Sequence, residues 1–285
     1  MPPTTPLLLL DNVFDTSVLY LGATLSASDA QTGHEAFRVA DYRRERTWWQ
    51  PASDAGVLGY HSVVVQLPTA RAVDYLVLDR GHNLAGLTIY LESSNDGASW
   101  VADGTFVELT VPASGTIGGT PTAPAMANTE EGVTWTLFTA LPAALWWRIL
   151  IPASTGFLPI VPGVMAGLRT QLLGHSSVYD EDAGGRTQTT QQSTAGYLAS
   201  DTTYAWRTAV LDLKLIGATE YDATMRMLRA LLFAKNQPAM LFMDYATYPE
   251  RGWLYRYDGA SWGMAKSRVY RGGRIPLREL YPVLG

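Results

Sequence analysis

The segment from Leu76 to Trp100, LVLDRGHNLAGLTIYLESSNDGASW, constrains what this chain can fold into more than any other. Val77, Leu87, Ile89 and Leu91 supply apolar positions at strand spacing, and Asn95-Asp96-Gly97 offers residue types that tolerate positive φ where the chain must reverse. The stretch therefore reads as two short strands joined by a loop, closed by a tight turn and followed by Trp100. Within the turn, Asp96 is placed to accept backbone N–H groups, Gly97 to take positive φ, and Trp100 to pack inward. A β-sandwich is the expected setting.

The flanks sharpen this expectation. Phe37 to Gln50 (FRVADYRRERTWWQ) precedes a predicted strand at His61 to Leu67, and Trp146 to Ile151 (WWRILI) supplies a late strand between Pro142 and Pro152. In order and spacing, Asp41 with Trp48 or Trp49, then Ser94, Asp96, Gly97 and Trp100, then Trp147, Arg148 and Ile149 resemble the motifs of the discoidin or galactose-binding-like domain. That resemblance covers 12–174 and implies a jelly-roll sandwich with binding loops on its rim. Tyr42, Arg43, Arg46, Trp48, His82 and Asn83 occupy those loops. They are the types that sugar recognition needs, flat rings against C–H groups and planar donors and acceptors against hydroxyls. The same types serve protein interfaces, pairing of the arginines with Glu45 and Asp41, or a turn held by Asn83.

Between Val111 and Asn128 the chain is small, uncharged and rich in Gly, Pro and Thr, which predicts an exposed loop within the sandwich. Strand character returns at Val133 to Phe138, and Gly163 to Gly174 holds the last strand of this domain. Residues 1–11 combine Pro with Leu7 to Leu10. Two uses fit them, an arm docking on a neighbouring subunit or an edge strand.

The remainder, 175–285, follows a different pattern. Tyr204 to Leu215 alternates as a strand, and Thr219 with Asp222 opens a helix carrying Tyr221, Met225, Leu228, Leu231 and Leu232 to about Lys235. Ala239 to Asp244 reads as a buried strand, followed by strands at Trp253 to Tyr257, Trp262 to Tyr270 and Ile275 to Tyr281. The expected architecture is a small β-barrel with one helix, so the chain as a whole is mainly β. Its order of elements resembles the split-barrel domain of distal-tail-type bacteriophage proteins. That resemblance implies a homo-oligomeric ring at the virion tail tip or baseplate, made in the bacterial host cytoplasm. Tail tube, hub and fibres would be its partners, and a host-surface glycan a further contact. Tyr245, Tyr248, Arg251, Trp253, Tyr255, Arg256 and Tyr257 form the aromatic and Arg-rich set suited to a subunit interface.

Composition narrows the functional classes. Lysine occurs only at Lys214, Lys235 and Lys266 and the net charge is -5, so the clustered cations that a phosphate backbone needs are missing. Cysteine is absent, which removes thiol nucleophiles and thiolate metal sites. His34, His61, His82 and His175 are isolated, no catalytic motif occurs, and the acidic run Asp180-Glu181-Asp182 lacks the pattern of a calcium loop. The expectation is a protein that is not an enzyme and uses no cofactor or metal. The Leu7–Leu10 run is too short for a signal core or a membrane span. Two functions follow: a tail-tip structural protein displaying a sandwich for fibre attachment or weak glycan contact, or a carbohydrate-binding module of a secreted or cell-surface protein.

Overall fold

A computed structural model describes residues 6–15, 22–40, 47–100, 106–171, 184–192, 198–217, 228, 238–257, 263–266, 270–279 and 283–284. The chain is mainly β, and it forms two compact units. One comprises Leu7–Thr170 together with Phe242–Trp253, and the other Met1–Pro6, Gln171–Leu241 and Leu254–Gly285.

The first unit contains strands β1 (Leu7–Leu9), β2 (Thr24–Ala27), β3 (Tyr60–Leu78), β4 (Thr88–Ser94), β5 (Phe106–Thr110), β6 (Ala127–Asn128), β7 (Thr134–Pro152) and β8 (Val164–Gly167), with a short 3-10 turn at Ala36–Ala40. A two-residue strand β9 (Thr170–Gln171) follows. Strands β3 and β7 run 19 residues each and pair with one another along their lengths. The pairing is regular from Tyr60 to Gln66 and again from Tyr75 to Leu78, with register shifts between. The sequence suggests two separate strands bounded by Pro142, yet β7 passes through it. Pro142 and Pro68 both fall in the irregular stretch, where no ladder hydrogen bond is lost by a missing N–H.

These bulges let each long strand serve both layers of a sandwich. The first half of β3 pairs with β2 and the second half of β7 with β4, which in turn pairs with β5, while the other halves pair with β8 and β6. Val63, Val65, Trp147, Ile149, Ile89 and Leu91 from one layer and Leu76, Leu78, Val164 and Ala166 from the other share one buried core. Alternation with period two explains the sidedness of the first layer.

The opposite face of the second layer is also buried. Trp135 is fully covered, its ring 4.0 Å from Phe242 and edge-on to Tyr245, and its Nε1–H donates to the Pro249 carbonyl at 3.0 Å. Leu7 to Leu10 are completely buried. Asn12 ties this end to β8: its Nδ2 donates to the Val164 carbonyl and its Oδ1 accepts from Ala166 and Phe14. The segment 111–128 is largely exposed, as expected of a loop, and it is held by bridges from Gly118 to Asn128, Thr110 to Ala125 and Thr122 to Leu137, with Met126 and Ala127 buried. Its backbone groups find partners that no side-chain pattern announces.

In the second unit, β10 (Gly184–Gln192) and β11 (Leu198–Gly217) form a long antiparallel pair, and the end of β11 pairs with β15 (Tyr270–Glu279). β12 (Ala239–Phe242) is buried along its length, as the sequence predicts for that segment. β13 (Gly252–Tyr257) and β14 (Gly263–Lys266) also pair with β15, and β16 (Val283–Leu284) pairs with β11. Among the described residues this ladder is an open sheet. The predicted helix falls outside the described residues except for Leu228, which is helical and buried.

Gly167 lies against the N-terminal segment so closely that a Cβ there would sit 2.0 Å from the Asp11 carbonyl oxygen. Gly167→Ala must push backbone apart, and we expect it to lower the unfolding free energy by about 2 kcal/mol or more in urea titrations.

Candidate functional site

The outer face of the first layer carries a concave groove of about 580 Å³. Strand register builds it. On one row, Ser62 of β3 stands opposite Leu150 of β7, which stands opposite Tyr90 of β4, which faces Glu108 of β5. On the next row, Val64, Arg148, Glu92 and Phe106 face one another across the same four strands. These residues alternate with the buried core positions, so the periodicity that fills the core also sets these side chains outward.

The groove's walls are aromatic and aliphatic. Tyr60 and Tyr90 meet edge to face at 6.2 Å, and Tyr90 and Phe106 are tilted at 6.5 Å. Phe106, Tyr60, Val57 and Leu58 are the exposed apolar residues of this face, Leu58 at 95%. Its floor is polar. Arg148 Nε donates to Glu92 Oε2 at 2.6 Å, a cross-strand pair in which Glu92 is nearly buried. The guanidinium also lies 4.1 Å above the Trp100 ring. This leaves four N–H donors of the fork available to a ligand and positions them rigidly between a ring and a carboxylate. Burial, aided by the Glu108 carboxylate, raises the Tyr90 hydroxyl above its ordinary value.

Trp100 is itself held by the hairpin turn. Ser94 Oγ donates to Asp96 Oδ1 at 2.9 Å, and Asp96 accepts from the backbone N–H groups of Ala98 and Ser99 at 2.8 and 2.7 Å. Those backbone bonds, foremost from Ser99 and then Ala98, hold the Asp96 carboxyl far below the usual carboxylate range. Gly97 has φ 72° and lies flat against Trp146, and Trp100 Nε1 donates to its carbonyl. The turn is architecture, as its sequence suggests, but Trp100 is half-buried under Arg148 on the outer face rather than in the core.

Of the loop residues expected to meet a sugar, Trp48, His82 and Asn83 are described. Tyr42, Arg43 and Arg46 lie outside the described residues. Trp48 is half-buried, stacked on His34 at 4.5 Å with its Nε1 donating to Gln50, while Trp49 is the core member of the pair. Asn83 uses both ends of its amide, donating to the Leu158 carbonyl and accepting from the Ile160 N–H. Trp49 bridges to Val161, so these two loops converge on one segment. His82 turns toward β7: its Nδ1 accepts from the Leu84 N–H, so Nε2 carries the proton and donates to Thr134 Oγ1 at 2.8 Å. Thr134 Oγ1 in turn donates to Asn128 Oδ1. Of the seven interface candidates, Trp253 and Tyr255 are buried. Tyr245 sits on Trp135, and Tyr248 is exposed with the Arg251 guanidinium 4.6 Å over its ring. For Arg256 and Tyr257 only the backbone, within β13, is described.

Asp180, Glu181 and Asp182 are outside the described residues. Among the described residues no group of three or more His, Asp or Glu side chains could hold a metal ion, and no helix is long and apolar enough to cross a membrane.

Comparison with known proteins places these features in context. No family model and no curated protein matches the sequence. Similar solved structures include a Clostridium perfringens module, CpGH89CBM32-5, in complex with GalNAc-β-1,3-galactose, at 12% identity and TM-score 0.37 over 51% of this chain and 95% of that one. The family 32 carbohydrate-binding module of C. perfringens NanJ, in complex with galactose, is 17% identical with TM-score 0.36, over 52% and 93%. A chitosan-binding module from a chitosanase/glucanase of Paenibacillus sp. IK-5 is 19% identical with TM-score 0.36, over 54% and 97%. The sandwich is defined by its own strand pairings.

Burial holds the His82 imidazole down to about 4, well below a free histidine. The folded chain therefore binds fewer protons than the unfolded chain between pH 6.5 and 4, and stability must fall as pH drops through that window. Burial of His61 acts in the same direction. Denaturant unfolding should show a loss of up to about 3 kcal/mol over this range, reduced in His82→Gln. A flat profile in the native sequence would contradict the neutral assignment of His82.

Proposed function

We propose that this chain binds carbohydrate without acting on it chemically, and that the groove on the outer face of the β2-β3-β7-β4-β5 layer is where it does so. One observation carries the reading: an aromatic row, Tyr60, Tyr90 and Phe106, lines the same groove as a guanidinium whose terminal nitrogens have no hydrogen-bond partner among the described residues. Pyranose rings present alternate C–H faces and hydroxyl edges. Aromatic faces take the first, and a fixed fork of donors beside a carboxylate takes the second. The site is built on strands rather than loops, so its geometry is formed before the ligand arrives.

Oligosaccharide titrations by calorimetry, using cello-, galacto-, manno- and chito-oligosaccharides, test this directly. Tyr60→Ala and Phe106→Ala should each weaken binding by roughly tenfold, about 1.4 kcal/mol. Both rings are partly exposed, so the unfolding midpoint should stay near that of the native sequence. Absence of binding to every sugar, or unchanged affinity in both variants, contradicts the proposal.

A second reading, assembly of copies into a ring of the kind the tail-protein resemblance implies, is favoured by the exposed Tyr248 and Arg251 pair. A ring would multiply weak glycan contacts through avidity. Light scattering should then give an oligomeric mass that falls in Tyr248→Ala, whereas a monomeric native protein would contradict this reading.

A further inference from the structure

The groove is bordered by a two-residue hairpin turn in which Val57 and Tyr60 exchange both backbone hydrogen bonds, at 2.7 and 3.1 Å. Its central residues, Leu58 and Gly59, have φ values of 53° and 81°, the signature of a type I′ turn. Gly is at home there, but a leucine is not, because its Cβ crowds the adjoining carbonyl at positive φ. Leu58 is the only non-glycine with positive φ among the described residues. It is also 95% exposed, so neither backbone preference nor burial accounts for its presence. The turn is firmly seated: the Ala153 N–H donates to the Gly59 carbonyl, and Gly56 packs so tightly that a Cβ would sit 2.8 Å from that of Ala153. A strained, rigidly presented apolar residue at the border of a binding groove is where ligand contact gives a physical reason for the strain.

The charges of the same face narrow the ligand. Glu92 and Arg148 neutralise each other, and Glu108 stands on the adjoining row beside Tyr90, which leaves these described residues of the face net negative. An added carboxylate would meet repulsion.

We infer that Leu58 is a ligand-contacting residue that closes over the C–H face of a sugar, and that the groove takes neutral glycans rather than acidic ones. This rests on the groove being the carbohydrate site and adds to it a contact residue and a ligand class. Leu58→Asn and Leu58→Gly place at this position residues that accept positive φ, so they relieve the strain while deleting the contact. The two readouts should therefore move in opposite directions. The thermal unfolding midpoint should rise by roughly 2 °C, while affinity for the best-bound neutral oligosaccharide falls about fivefold or more, a change of roughly 1 kcal/mol. Oligogalacturonate should bind at least tenfold more weakly than the neutral probes. Unchanged affinity in both Leu58 variants, with Tyr60→Ala and Phe106→Ala still impaired, would overturn the role of Leu58 and leave the groove standing. Equal binding of oligogalacturonate would overturn the ligand class. Loss of effect in all four variants would overturn the groove itself.

Discussion

The antiparallel pairing of β3 with β7 is the interaction on which the rest of the sandwich depends. Each strand is long enough to cross from one layer to the other, and the irregular stretch around Pro68 and Pro142 is where both turn the corner. One ladder thereby positions the core residues Val63, Val65, Trp147 and Ile149 and, one residue out of phase, Ser62, Arg148 and Leu150 on the outer face. A slip of one residue would exchange the two sets, burying a guanidinium and exposing Trp147. The register that stabilises the fold is thus also the register that makes the groove.

Within that groove, electrostatics and packing depend on each other. The Glu92 carboxylate is nearly buried and, among the described residues, is paired with Arg148, so truncating the arginine would leave a buried charge without that partner as well as remove a proposed ligand contact. Arg148 in turn lies on Trp100, and Trp100 is fixed by the Ser94 to Asp96 turn. A motif that looks purely structural therefore supports a surface several residues away. Aromatic variants are the cleaner probes of binding for this reason.

Much of the fold is legible in the sequence. The alternation after Leu76, the turn at Asp96-Gly97, the WWRILI strand and the buried 239–242 segment all announce themselves through spacing and turn chemistry. The groove is not legible in the same way. Tyr60, Tyr90, Phe106 and Arg148 are 16 or more positions apart, and only strand register brings them into two adjoining rows. Arg148 sits in an otherwise apolar run, which reads as a core strand although alternate residues point outward. Polar loop residues invited attention instead, and Asn83 and His82 spend their hydrogen bonds on loop backbone or on Thr134. One signal was present: Leu58 next to Gly59 in a two-residue turn is a poor match to type I′ chemistry, and a local rule broken without a packing reason points to function.

The central claim is that a sugar lies across a sheet face rather than on the loops around Trp48. A crystal structure with the best-bound oligosaccharide tests it most directly. The account predicts a pyranose against Tyr60, Tyr90 or Phe106 with a hydroxyl at the Arg148 terminal nitrogens. A sugar seated on Trp48, with the groove filled only by solvent, would contradict it.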